Sequence, residues 1–189
     1  MRKILLLITT CISFAYADFS KHTIAESLKQ VAREEQIDVK LLYSIAKIES
    51  NFEPLIVAFT SDRKNYRFEN AKVSVKPYKN KYLIQVRADE YTLKNIVRQL
   101  TNAGINVDVG IMQINSINFS NRELNQIFKP KYNIQKSTRI LKNCNAKFYT
   151  LKDTIECYNK GFRKKNSYDY YTKVKDSFIA SFGGIKKWF

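Results

Sequence analysis

Glu49 closes the stretch LLYSIAKIESNF as a carboxylate in a place where a helix least favours one. It stands four residues after Ile45 and seven after Leu42, so it borders the apolar face of the helix that this spacing predicts. It also falls in the last turn, where unpaired carbonyls and the negative end of the helix dipole disfavour an anion. Burial and dipole push in one direction, raising the pKa so that a proton remains near neutral pH. An acid held in this way can protonate a glycosidic oxygen. The competing reading is an edge glutamate paired with one of the many lysines. No second carboxylate is spaced to share the work: Glu53 lies a turn onward, beyond the helix end, and Asp108 reads as a loop residue. Hydrolytic sugar cleavage normally uses a pair, so a lone acid must find its second group in the substrate.

The elements that would position Glu49 are mainly helical. Thr23-Ile24-Ala25-Glu26 has the pattern of a capping box, followed by Leu28, Val31 and Ala32 at helical spacing. The helix of Glu49 is expected from about Asp38, with Leu41, Ile45, Ile48 and Phe52 on one stripe and Pro54 as its stop. Ser120 and Glu123 form a second capping-box pattern, opening a short helix that ends before Pro130. Asn133 is expected to begin a longer helix on Ile134, Leu141 and Phe148, and residues 150–158 and 167–182 supply two more. One region differs: KVSVK (72–76) and KYLIQVR (81–87) read as strands, with Pro77-Tyr78-Lys79-Asn80 as the turn between them. Leu93, Ile96, Val97 and Leu100 then restore helical spacing, stopped by Gly104. The fold class is α+β, mainly α: one helical domain with a small β-hairpin insertion at 58–105.

The first residues, MRKILLLITTCISFAYADFS, read as a secretory signal. Arg2 and Lys3 precede an apolar run from Ile4 to Phe14, and Ala15-Tyr16-Ala17 predicts cleavage before Asp18. The domains expected are thus a signal peptide at 1–17 and a single domain at 18–189. The alternatives are an uncleaved anchor or lipidation at Cys11, but the run is short of the roughly 20 residues that span a bilayer. The processed chain is expected in the periplasm without stable membrane insertion. Cleavage removes Cys11 and leaves Cys144 and Cys157, an even count that predicts one disulfide in an oxidising compartment; two buried thiols are the alternative. Two cysteines and the lone His22 cannot build a zinc site, and no metal or cofactor is implied. The processed chain keeps 31 of the 33 basic residues and all 17 acidic ones, a formal +14. That balance fits an anionic polymer or surface, or a bias in overall lysine usage. Export disfavours nucleic acid as a partner.

The centre of the chain, NVDVGIMQINSINFS (106–120), carries no charge until its end once Asp108 is passed. IESNFEP, DVGIMQIN, ECYNKG and YYTKV, in that order, resemble the four motifs of the lytic transglycosylase domain related to goose-type lysozyme. The resemblance covers about residues 24–58 and 105–180. It implies a lysozyme-like fold and peptidoglycan glycan strands as substrate, with Glu49 as the sole catalytic acid/base. It also implies that Ser50 supports Glu49 by hydrogen bonding, that Gly110 lets the backbone approach the glycan, and that Met112 packs on a sugar face. Gln113 would offer donor and acceptor to N-acetyl or hydroxyl groups, Tyr158 and Asn159 would line the groove opposite Glu49, and Tyr171, rather than Tyr170, would orient the carboxyl. Cys157 and Lys160 stand where the family usually has alanine. Ser50 and Gly110 are sixty residues apart, against about twenty in shorter members. That spacing, with the β-prone insertion, resembles lytic transglycosylases that accompany type IV secretion and conjugation machines, whose components become candidate partners of a chain expected to be a monomer. Two other functions remain open on the residues alone: a muramidase that uses water, and a non-catalytic wall-binding assembly factor.

Overall fold

A computed structural model describes residues 19–163 and 167–183. The expected signal peptide, its cleavage site and Cys11 lie outside the described residues. Two helices open the fold, α1 at Lys21–Glu35 and α2 at Val39–Ser50. The sheet follows, with β1 at Ile56–Ser61, β2 at Lys72–Tyr78 and β3 at Lys81–Arg87. Helix α3 spans Glu90–Asn102, and two short strands, β4 at Asp108–Val109 and β5 at Ile114–Asn115, bracket the GIMQ segment. Two 3-10 turns lead to α4 at Pro130–Lys147, α5 at Leu151–Lys160 and α6 at Asp169–Phe182. The class is the expected one, mainly helical α+β.

Helix ends differ from expectation by local chemistry. The first helix starts three residues early because Ser20, not Thr23, is the cap: the Ser20 hydroxyl accepts from the Thr23 N–H at 3.1 Å. Asp38 caps α2 as its sequence suggests. That helix stops before Pro54, because Asn51 turns left-handed at φ 55° and its N–H returns to the Ala46 and Lys47 carbonyls. Its buried stripe is Leu41, Leu42, Ile45 and Ala46, and Ile48 is 36% exposed instead of buried. The longer helix begins at Pro130 in its first turn, three residues before Asn133, and Phe148 lies just past its end. The Ser120–Glu123 capping box forms as expected.

The sheet is larger than the expected hairpin. Its order is β2-β3-β1-β4-β5, antiparallel throughout. Strand β1, IVAFTS, is missed by an alternation test because its first four residues are all buried. The hairpin turn is shorter than expected: Pro77 belongs to β2, opposite Tyr82, and β2 is the edge strand, where a proline costs no ladder hydrogen bond. One face of the sheet, including Val57, Phe59, Ile84 and Val86, joins a single hydrophobic cluster with Leu93 and Val97 of α3 and Leu42 and Ile45 of α2. The inserted segment therefore shares the core of the helical domain. Each fully buried aliphatic side chain contributes about 1.5–3 kcal/mol to that joint.

Candidate active site

Glu49 sits half-buried in the last turn of α2, as its position in the helix suggests. The Tyr170 hydroxyl, from the first turn of α6, donates to Glu49 Oε1 at 2.5 Å. Burial pushes the Glu49 carboxyl up to about 8; the Tyr170 bond opposes this, the charge of Asp108 adds to it, and Lys173 opposes it. Glu49 is in no ion pair among the described residues. Glu123 shows what lysine pairing would have done: against its own burial, Lys136, Ser120 and Tyr132 hold it down to about 2.

Asp108 corrects the reading that made it a loop residue. It lies in β4, not in a loop, and its charge repels that of Glu49. Burial raises its own pKa, and Asn115 Nδ2 donates to Oδ1 at 2.7 Å.

The tyrosine assignment is also corrected. Tyr170 is buried and meets Glu49, whereas Tyr171 gives its backbone N–H to Glu156 Oε1 at 2.8 Å. Burial and the charge of Glu49 push the Tyr170 hydroxyl well above the phenol range, so it remains a donor. Its ring stacks on Tyr158 with centroids 6.3 Å apart.

The GIMQ segment is held from three helices. Ser50 Oγ donates to the Ile111 carbonyl at 2.8 Å instead of to Glu49, and Tyr158 OH donates to the Met112 carbonyl at 2.8 Å. Asn133, buried in α4, accepts from the Met112 N–H at 2.8 Å and donates to the carbonyls of Val109 and Ile127 at 3.0 and 2.8 Å. Gly110, at φ +77°, leaves space for that amide, since a Cβ there would come within 2.5 Å of Asn133 Nδ2. The packing of Asn133 by itself requires a glycine here. Met112 is fully buried and packs in the core, where it cannot lie against a sugar face. Gln113 turns left-handed at φ 47° and gives its amide N–H to the Gly110 carbonyl at 2.8 Å, which leaves its side-chain oxygen as an acceptor. Asn159 is exposed on α5 beside Tyr158.

Sequence reasoning set Asp108 aside as a loop residue, took Asn133 for a helix start and passed over Glu156. Asn133 interrupts the apolar stripe of α4, and Glu156 is fully buried next to Cys157. A polar group on a buried face is the available signal for both. Glu156 caps α6, whose N-cap Tyr168 offers no side-chain bond, and pairs with Lys160 at 3.1 Å. Cys144 and Cys157 form the expected disulfide, joining α4 to α5 with 5.7 Å between their Cα atoms.

A surface hollow lined by Glu26, Ala32, Arg33 and Ile37 lies near the start of α2, at the other end of that helix from Glu49. It holds none of the motif residues.

The family model described as "Transglycosylase SLT domain" matches residues 26–179. No curated protein and no solved structure matches the chain. The match spans α1 to α6 and includes Glu49, the GIMQ segment, Tyr158 and Tyr170. The chain therefore belongs to the transglycosylase SLT domain family and is a lytic transglycosylase acting on peptidoglycan.

Proposed function

We propose that Glu49 alone supplies both the acid and the base in cleavage of the β-1,4 bond between N-acetylmuramic acid and N-acetylglucosamine. The observation that carries this reading is a half-buried carboxyl held by the Tyr170 hydroxyl, which burial and the charge of Asp108 push up to about 8. Protonated at neutral pH, it gives its proton to the glycosidic oxygen as the bond to the muramic C1 breaks. The substrate's N-acetyl oxygen supports the positive charge that develops at C1. Glu49, now an anion accepting from Tyr170, takes the proton of the muramic C6 hydroxyl, and O6 closes on C1 as a 1,6-anhydro ring. No water is consumed, and Glu49 ends protonated. Asp108 stays an electrostatic neighbour: its repulsion favours return of the proton to Glu49.

Gln113, through its free oxygen, and the exposed amide of Asn159 are proposed to meet N-acetyl and hydroxyl groups. Tyr158 acts by holding the Met112 carbonyl and stacking on Tyr170. The signal-like first seventeen residues support a periplasmic location. The long spacing between Ser50 and Gly110 and the sheet inside it support local opening of the wall for a secretion or conjugation machine.

Mass spectrometry of sacculus digests tests the reaction. Wild-type protein is expected to release muropeptides ending in 1,6-anhydromuramic acid, and Glu49→Gln to lose about 10²–10⁴-fold in rate. Reducing-end products would show a water-using muramidase. Undiminished release by the variant would remove Glu49 from the chemistry.

A further inference from the structure

Neighbouring residues of a strand face opposite sides of the sheet. Since Val57, Phe59, Ile84 and Val86 face the core, the register turns Lys72, Ser74, Lys76, Gln85, Arg87 and Asp108 to the other face. One row crosses that face: Ser74 opposite Gln85, Gln85 opposite Ala58, Ala58 opposite Asp108, with Ala58 buried as its floor and Ser74 and Gln85 reaching solvent. At the usual spacing of paired strands it runs about 14 Å from Asp108, beside Glu49, to the edge strand. Ser74 and Gln85 are partly exposed, and neither side chain makes a hydrogen bond among the described residues.

The flanks of this row are cationic. Lys72 stands directly opposite Arg87 on the same face, and like charges so placed destabilise a sheet. Lys76 lies on the other side of Ser74. None of the three is in an ion pair among the described residues, whereas Lys81 pairs with Asp62 at 3.6 Å. An anion between Lys72 and Arg87 would turn a repulsive pair into a binding site, and the guanidinium of Arg87 has the fork geometry that suits a carboxylate.

We propose that this sheet face extends the active site, with Lys72, Lys76 and Arg87 binding carboxylates of the peptide stems on the glycan strand cleaved at Glu49. The inference rests on the reaction proposed above and adds its substrate preference: strands that carry stems over strands stripped of them. The uncharged row of Ser74 and Gln85 suits the sugars, and the cations suit what hangs from them. Addition of a protein strand to β2 is the rival use of this edge, and its lysines and Pro77 oppose it.

The test reads binding apart from turnover, in the Glu49→Gln background, by sedimentation with intact sacculi and with bead-immobilised glycan strands stripped of stems by an amidase. Lys72→Gln with Arg87→Gln is expected to weaken binding to intact sacculi about tenfold and to change binding to stripped strands less than about twofold. Lys21→Gln with Lys29→Gln, on α1, removes the same charge elsewhere and is expected to leave the stem preference intact. Equal losses on both substrates, or no loss on either, overturn the proposal. Failure of the wild-type protein to release muropeptides would count against the reaction instead, because the sedimentation arm reads stem preference without catalysis.

Discussion

Glu49 is one carboxyl among several whose surroundings set different acidities, and that difference defines its role. Burial and Asp108 keep its proton on, and Tyr170 steadies it once the proton has left. As the proposed general acid it must be protonated in the free enzyme, so kcat/KM is expected to fall as pH rises through about 8. Asp108→Asn removes a repulsion that raises the Glu49 pKa, and the falling limb should move to lower pH. Tyr170→Phe removes a donor that favours the anion. The limb should then move to higher pH, while the rate drops about 10–100-fold for the loss of a hydrogen bond to a charged group. pH–rate profiles of the three proteins check both signs; limbs that coincide would mean that another group titrates. The choice of Tyr170 over Tyr171 was open to a stricter reading of sequence, because Tyr170, Val174 and Phe178 repeat at helical spacing and share the buried face.

The site is assembled from helix ends and one strand pair. Helix α2 supplies Glu49 and Ser50, α5 supplies Tyr158, α6 supplies Tyr170, and α4 clips the GIMQ backbone through Asn133. Glu156 joins two of these helices by capping α6 from α5. The disulfide ties α4 to α5, closing a sequence separation of 13. Replacing Cys144 and Cys157 together by serine is expected to lower stability by about 3 kcal/mol, read as an earlier urea midpoint. The upper limb of the pH profile should not move, since neither cysteine touches Glu49. An unchanged midpoint would show that the crosslink contributes nothing to holding α5.

Across the whole molecule, the acid proposed to perform the chemistry also costs stability. A carboxyl whose folded pKa is raised from 4.5 to about 8 lets the folded state hold a proton that the unfolded chain has lost. Its contribution is fully favourable below about 4.5 and is lost as pH rises toward 8. Glu49→Gln removes that dependence. The variant should therefore match wild type near pH 4 and exceed it increasingly up to pH 8, by on the order of 10–20 °C in Tm. Thermal melts across that range check the sign; a variant less stable at pH 8 would contradict burial as the cause. Among the described residues no helix is long and apolar enough to cross a membrane, and the formal charge of the full chain is +16.

What the sequence by itself determined was local. Apolar spacing placed the helices to within a few residues, turn chemistry marked the hairpin, and a carboxylate in the last turn of α2 announced its own unusual acidity. These depend on contacts within a turn or two of the chain, which periodicity records. Only the tertiary structure decided that Asp108 lies beside Glu49, that Asn133 is a clip and not a helix start, and that Ser50 and Gly110 serve the GIMQ backbone. It also decided that β1 joins the inserted hairpin to β4. Each of these joins residues far apart in the chain, and a pairing of that kind is set by how buried faces and strand registers meet, which no local spacing encodes.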